Sequence, residues 1–251
     1  MTEYPTDDRI HDGSYSEGQL IMPFYIICDA SGSMKDDLPA LQRDLSELVN
    51  DIATNPLVDD TTMLSIIAFG TEARTLVPLS EPSSVTMPQL SVLGETSFSR
   101  AFEEYSRAFN ADYKRLKQEG SKVFRPCVFF LTDGGATDPG TWEATFQRLI
   151  VWDPKTRTGN QMYPYIVAYG FGSAQLEQLK KIAYPNFGEK LGKWFLSSTN
   201  DVHELLKSMI GTIGKTIVSS GQSVNAGQPQ LFLPPAVSTR TTLAGEPDIL
   251  P

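Results

Sequence analysis

The chain has 251 residues, 40% of them hydrophobic, enough for one α/β core of roughly 200 residues with tails at both ends. Its formal net charge of -9, with no block of Lys and Arg, speaks against a nucleic-acid partner, because phosphate-rich ligands need concentrated positive charge. No stretch approaches the roughly 20 apolar residues that cross a bilayer, and two cysteines and two histidines far apart leave little material for a zinc cluster.

Residues 1–19 read as a flexible arm. Their acidic and polar start, MTEYPTDDRIHDG, lacks the basic and apolar run of a secretory signal, so a soluble cytoplasmic protein with no membrane partner is expected. The first strand is FYIIC at 24–28. An amphipathic helix follows, with Leu38, Leu41, Leu45, Leu48, Val49 and Ile52 at steps of three and four. Asp36 and Asp37 suit its positive N-terminal end.

TMLSIIAF at 62–69 is a second strand. ARTLVPL at 73–79 is a third, and its alternation and Pro78 suit an edge. Phe98, Phe102, Tyr105 and Phe109 mark a second helix; PCVFFLT at 126–132 a fourth strand; Trp142, Phe146, Leu149 and Ile150 a third helix, with Asp138 placed to cap it. YPYIVAY at 163–169 and KWFLS at 193–197 complete the strands. A short helix carries Leu176, Leu179 and Ile182, and a long one runs from Val202 to Ile217 with Asp201 or Asn200 as its N-cap. Cys28 and Cys127 fall in apolar runs and are expected as reduced core thiols. Beyond Ser219 the Gly, Pro, Ser and Thr content predicts a flexible tail over 220–251, within which LFLPP could dock on a surface groove.

Strands that alternate with helices, most of them continuously apolar, imply a doubly wound and mostly parallel sheet. Ligands of such sheets sit beyond the carboxyl ends of the strands. Three segments at those ends carry unusual oxygen chemistry: DASGS after the first strand, LGETSFS before the second helix and LTDGGATD after the fourth strand. Asp29, Ser31 and Ser33 are spaced by two, so an extended backbone leans them the same way. With Thr96 and Asp133 they make a set of hard oxygen donors, suited to magnesium, with manganese or calcium as alternatives. Ser31, Ser33 and Thr96 are expected to bind through hydroxyls, with Asp29 and Asp133 holding metal-bound waters. Few direct carboxylates leave the ion electrophilic and ready for an outside carboxylate. DASGS alone would pass for a capped turn; all three segments at one sheet end do not.

DASGSM, GETS and LTDGGATD, in this order, resemble the metal-ion-dependent adhesion site of von Willebrand factor type A (VWA) domains over about residues 21–219. The resemblance implies a Rossmann-like six-stranded sheet of order 3-2-1-4-5-6 with one antiparallel edge strand, a VWA domain over 20–219, and Asp29, Ser31, Ser33, Thr96 and Asp133 as the coordinating set. TDG followed by TD is most similar to bacterial TerY-like proteins of tellurium-resistance and stress clusters. That implies a signalling scaffold, with a Ser/Thr kinase and a PP2C-type phosphatase as partners. An acidic partner side chain is expected on the ion, with Lys35, Asp36, Asp37, Glu95, Phe98, Thr137 and Asp138 at the rim. The alternative, a metal-dependent phosphoester hydrolase, lacks a phosphate loop, and His11 and His203 lie away from the motifs, so no catalytic role is expected.

Overall fold

The computed structural model describes residues 18–153, 155–185, 193–197 and 202–232, and the backbone of 249–250. Six strands form the path of the central sheet: β1 (Leu20–Asp29), β2 (Thr62–Phe69), β3 (Ala73–Ser80), β4 (Cys127–Thr132), β5 (Tyr165–Gly170) and β6 (Trp194–Leu196). Their order is β3-β2-β1-β4-β5-β6. Only β3 runs antiparallel to its neighbour in this path, as expected for the edge strand. The longer helices are α1 (Leu38–Ala53), α2 (Phe98–Gln118), α3 (Thr141–Ile150), α4 (Leu176–Ile182) and α5 (Val202–Asn225), and a single helical turn, Pro56–Asp59, follows α1.

Alternation along β1 builds both halves of the core, since successive side chains point to opposite faces. Met22, Phe24, Ile26 and Cys28 join α1 and α5 on one face. Ile21, Tyr25 and Ile27 join α2, α3 and α4 on the other. Both faces are therefore covered, which is why β1 reads as a continuous apolar run.

β1 starts four residues earlier than the apolar run FYIIC does, and Pro23 explains why that start is hidden. Met22 donates its N–H to Thr61 O on the β2 side. Pro23 therefore turns its missing donor to the other side, where the ladder is interrupted between Lys122–Val123, paired with Leu20 and Ile21, and β4. The proline costs no sheet bond there.

Other features also lie outside the expected elements. A short antiparallel pair, Trp152–Asp153 with Thr158–Gly159, sits between α3 and β5. Helix α5 continues past the expected boundary at 219 to Asn225. Leu231, in the segment LFLPP, is buried against the α1/α5 core, and Leu231–Phe232 pairs antiparallel with Ile249–Leu250. The suggested N-caps Asn200 and Asp201, His11 and most of both tails lie outside the described residues. Among the described residues no helix is long and apolar enough to cross a membrane. Cys28 and Cys127 are free and buried, and burial pushes the Cys28 thiol up to about 12.

Candidate metal centre

The parallel strands β1 and β4 end side by side, with Cys28 opposite Leu131, so the chain leaves the sheet at Asp29 and at Asp133 on one edge. The extended expectation for the first loop holds only as far as Ser31 (φ -67°, ψ 173°); Gly32–Asp36 then forms a 3-10 turn. That turn still brings the two serines together, with Ser31 Oγ 3.0 Å from Ser33 Oγ. Ser33 Oγ donates to Asp133 Oδ1 at 2.9 Å. Asp29 accepts from Ser31 N–H at 2.8 Å through Oδ1 and from Thr132 Oγ1 at 2.7 Å through Oδ2.

The middle segment arrives by a different route. Residues 85–97 contain no helix or strand, yet Leu93 N donates to Ala30 O and Gly32 N to Gly94 O, both at 2.7 Å. These bonds lay the segment along the first loop. Gly94 has φ 91°, a left-handed conformation that a β-carbon resists, and its α-carbon faces the Thr71 hydroxyl closely. Gly70 likewise packs directly on Leu93, where a β-carbon would collide with the Leu93 carbonyl. The Thr96 hydroxyl ends up beside the third loop: a β-carbon placed on Gly134 would lie 3.7 Å from Thr96 Oγ1.

All five sequence-derived candidates thus meet at one end of the sheet. Asp29, Ser31, Thr96 and Asp133 are 1, 2, 7 and 7% exposed, and Ser33 faces solvent. Burial pushes the Asp29 carboxyl up to about 6, with the Asp133 charge adding to the rise and hydrogen bonds from Thr132 and Ser31 opposing it. Asp133 is also raised, chiefly by burial and further by Asp37, against the bond from Ser33. Among the described residues no lysine or arginine forms an ion pair with either carboxylate. Two desolvated carboxylates with hydroxyls around them and no resident cation fit a small divalent ion: its charge would offset the burial cost, and the donors are hard oxygens. Among the described residues no group of three or more His, Cys, Asp or Glu side chains is placed to hold a metal ion.

Several supporting residues are not among the site candidates. Thr132 bonds Asp29, Gly134 O and Gly134 N, bracing the first loop against the third. Ser173 N holds Asp133 O at 2.7 Å, and Gln178 Oε1 accepts from Ala136 N at 3.0 Å. A threonine inside a quoted motif, a loop serine and a glutamine on a short helix look ordinary in a sequence, so only contact across loops reveals their roles.

Two rim expectations change. Phe98 is fully buried, packed between Phe69, Phe130 and Trp142 with ring centroids 5.9, 5.0 and 5.7 Å away; its place in the α2 stripe decides this. The Asp138 side chain caps α2 instead of α3, accepting from Phe98 N at 3.1 Å and Ser99 N at 3.0 Å. Only its backbone carbonyl, 3.4 Å from Trp142 N, serves α3. Lys35, Asp36, Glu95 and Thr137 are exposed and Asp37 is half-buried.

The family profile described as the von Willebrand factor type A domain matches residues 24–207. No curated protein matches the chain. Among solved structures, the open conformation of the pilus adhesin SpaC from Lactobacillus rhamnosus GG superimposes with a TM-score of 0.52 at 14% identity, over 79% of this chain and 30% of the adhesin. The ArnB paralog VWA2 from Sulfolobus acidocaldarius gives 0.49 at 18% identity, over 78% of this chain and 46% of that one. The manganese-loaded TRAP protein of Plasmodium vivax gives 0.47 at 20% identity, over 77% and 74%. The chain spans less than half the length of several such structures.

Proposed function

Since the chain belongs to the von Willebrand factor type A domain family, we propose that it is a metal-dependent protein-interaction module with an intact metal-ion-dependent adhesion site. Asp29, Ser31, Ser33, Thr96 and Asp133 are the residues that would hold the ion, magnesium by our reading. The ion supplies a positive charge able to accept a carboxylate from a partner protein. What carries this reading is the bond network that draws Asp29, Ser31, Ser33 and Asp133 together from loops 100 residues apart while no basic side chain among the described residues pairs with the carboxylates.

Catalysis is the weaker reading. Both Asp29 oxygens already accept hydrogen bonds, Asp133 Oδ1 accepts from Ser33, and His203 is exposed on α5, outside the cluster, so the carboxylates that a hydrolase would use as a base are engaged within the site. The narrower role, a scaffold in bacterial stress or phosphorylation signalling that binds a Ser/Thr kinase and a PP2C-type phosphatase in the cytoplasm, rests on the similarity of LTDGGATD to TerY-like proteins. Adjacent kinase and phosphatase genes would support it.

The general proposal is tested by metal-dependent stability, because an ion that binds only the folded chain raises its unfolding temperature with concentration. Magnesium should raise the midpoint of the parent and leave that of Asp133→Ala unchanged. Capture of an acidic partner should stop with EDTA and only weaken in moderate salt, since screening acts beyond about 10 Å and the proposed contact is direct. Binding indifferent to chelator would end the proposal.

A further inference from the structure

Thr96 is the one proposed ligand that no strand end delivers. Its segment enters without regular structure, and the bonds of Leu93 and Gly94 to the first loop stop two residues short of it. Its two neighbours are tied to the turn between β2 and β3, Glu95 N to Thr71 Oγ1 at 2.8 Å and Ser97 N to Gly70 O at 3.2 Å, but the bonds to Thr96 itself come from the third loop. Thr137 donates to the Thr96 carbonyl twice, from its N–H at 2.8 Å and from its hydroxyl at 3.0 Å. The next residue grips the other flank. Asp138 accepts from Ser97 Oγ at 2.9 Å, from Phe98 N at 3.1 Å, from Ser99 N at 3.0 Å and from the Ser99 hydroxyl.

We infer that Thr137 and Asp138 form a clamp that sets Thr96 at the right distance from Asp133, and so act as positioning residues of the metal centre. The inference rests on the metal-binding reading above and deepens it. The clamp sits four and five positions after Asp133 on one loop, and that loop is itself pinned: Ser173 N holds Asp133 O at 2.7 Å and Gln178 Oε1 takes Ala136 N at 3.0 Å. Thr96 and Asp133 are thereby referred to a single short piece of backbone. The carboxylate does a second service, because α2 begins at Phe98 and its first amides have no partner within the helix. The TD dipeptide, placed by its sequence at the partner-facing rim, turns its polar atoms inward to the second loop.

A cap that only stabilised α2 would contribute the same stability whether or not metal is bound. A positioning residue behaves differently: its loss weakens the ion's affinity, typically ~10–100-fold for groups that orient ligands. Asp138→Ala and Asp138→Asn are compared with Glu143→Ala. Glu143 caps the neighbouring α3 by accepting from Gly140 N at 2.8 Å. The readouts are the magnesium dissociation constant by calorimetry and hydrogen exchange at the Ser97 and Thr137 amides with EDTA. Those two amides bond to Gly70 O and Thr96 O, not to Asp138.

Asp138→Ala should weaken magnesium at least tenfold and speed both amides; Asp138→Asn, which keeps an acceptor, should recover most of the affinity; Glu143→Ala should change neither. A dissociation constant within twofold of the parent in Asp138→Ala overturns the clamp. If the parent itself takes up no magnesium, the metal reading fails separately. The exchange rates then decide the clamp alone, unchanged rates overturning it and faster rates upholding it.

Discussion

Ser33 Oγ donates to Asp133 Oδ1 at 2.9 Å, joining residues 100 positions apart. The serine lies on an exposed turn, so this bond adds little to stability, about 1 kcal/mol or less. As a proposed ligand it matters more. Ser33→Ala should unfold in EDTA within a few degrees of the parent and yet lose the magnesium-dependent rise. A full rise in the variant would remove Ser33 from the coordinating set.

The raised carboxyl of Asp29 gives a pH signature whose sign depends on the ion. In the metal-free chain the folded state binds this proton more tightly than the unfolded state, with a carboxyl near 6 against an ordinary 3.8. Its contribution to stability is therefore greatest below the unfolded value and declines as pH rises through about 6, by on the order of 1–3 kcal/mol. Magnesium needs the ionised form, so its affinity should rise over the same window. Urea unfolding across this range with EDTA should show the decline in the parent and a flatter profile in Asp29→Asn; equal slopes would refute the assignment.

Much of this was readable from residues. Six strand positions, the edge place of Ala73–Ser80 and the meeting of DASGS, GETS and LTDGG at one sheet end follow from apolar runs, periodicity and loop chemistry; the antiparallel sense of that edge strand came only with the family resemblance. What stayed hidden depends on neighbours in space. Leu20–Pro23 escaped because a proline argues against a strand, and only the break between Val123 and Cys127 makes it harmless. Phe98 belongs at once to the GETSFS segment and to the helix stripe, and packing settled which one claims its ring. Asp138 precedes α3 in sequence but reaches α2 in space, a choice that local cap rules do not make.

Phe98 separates fold from recognition. Its ring is enclosed by Phe69, Phe102, Phe130 and Trp142, so Phe98→Ala should cost about 3–5 kcal/mol through lost packing and a cavity. The loss should be similar with and without an acidic partner. A variant that kept its stability but lost partner binding would return Phe98 to the rim.

The C-terminal edge of the folded unit can be found in the same way. Leu231 is 7% exposed, and the segment around it is held to α5 by Phe232 N on Ser220 Oγ at 3.0 Å and Gln230 N on Ser223 Oγ at 2.9 Å. Gly221 lets this part of α5 approach Val58 and Thr62, where a β-carbon would lie 2.9 and 2.8 Å from their side chains. Cutting after Ser219 removes these contacts together and bares the α1/α5 core; cutting after Phe232 spares them. Leu231→Ala should cost about 2–4 kcal/mol, the shorter truncation should melt well below the longer one, and the longer should melt near the full chain. Equal melting of both truncations would mean that the segment rests on the core without supporting it, and would put the boundary back at 219.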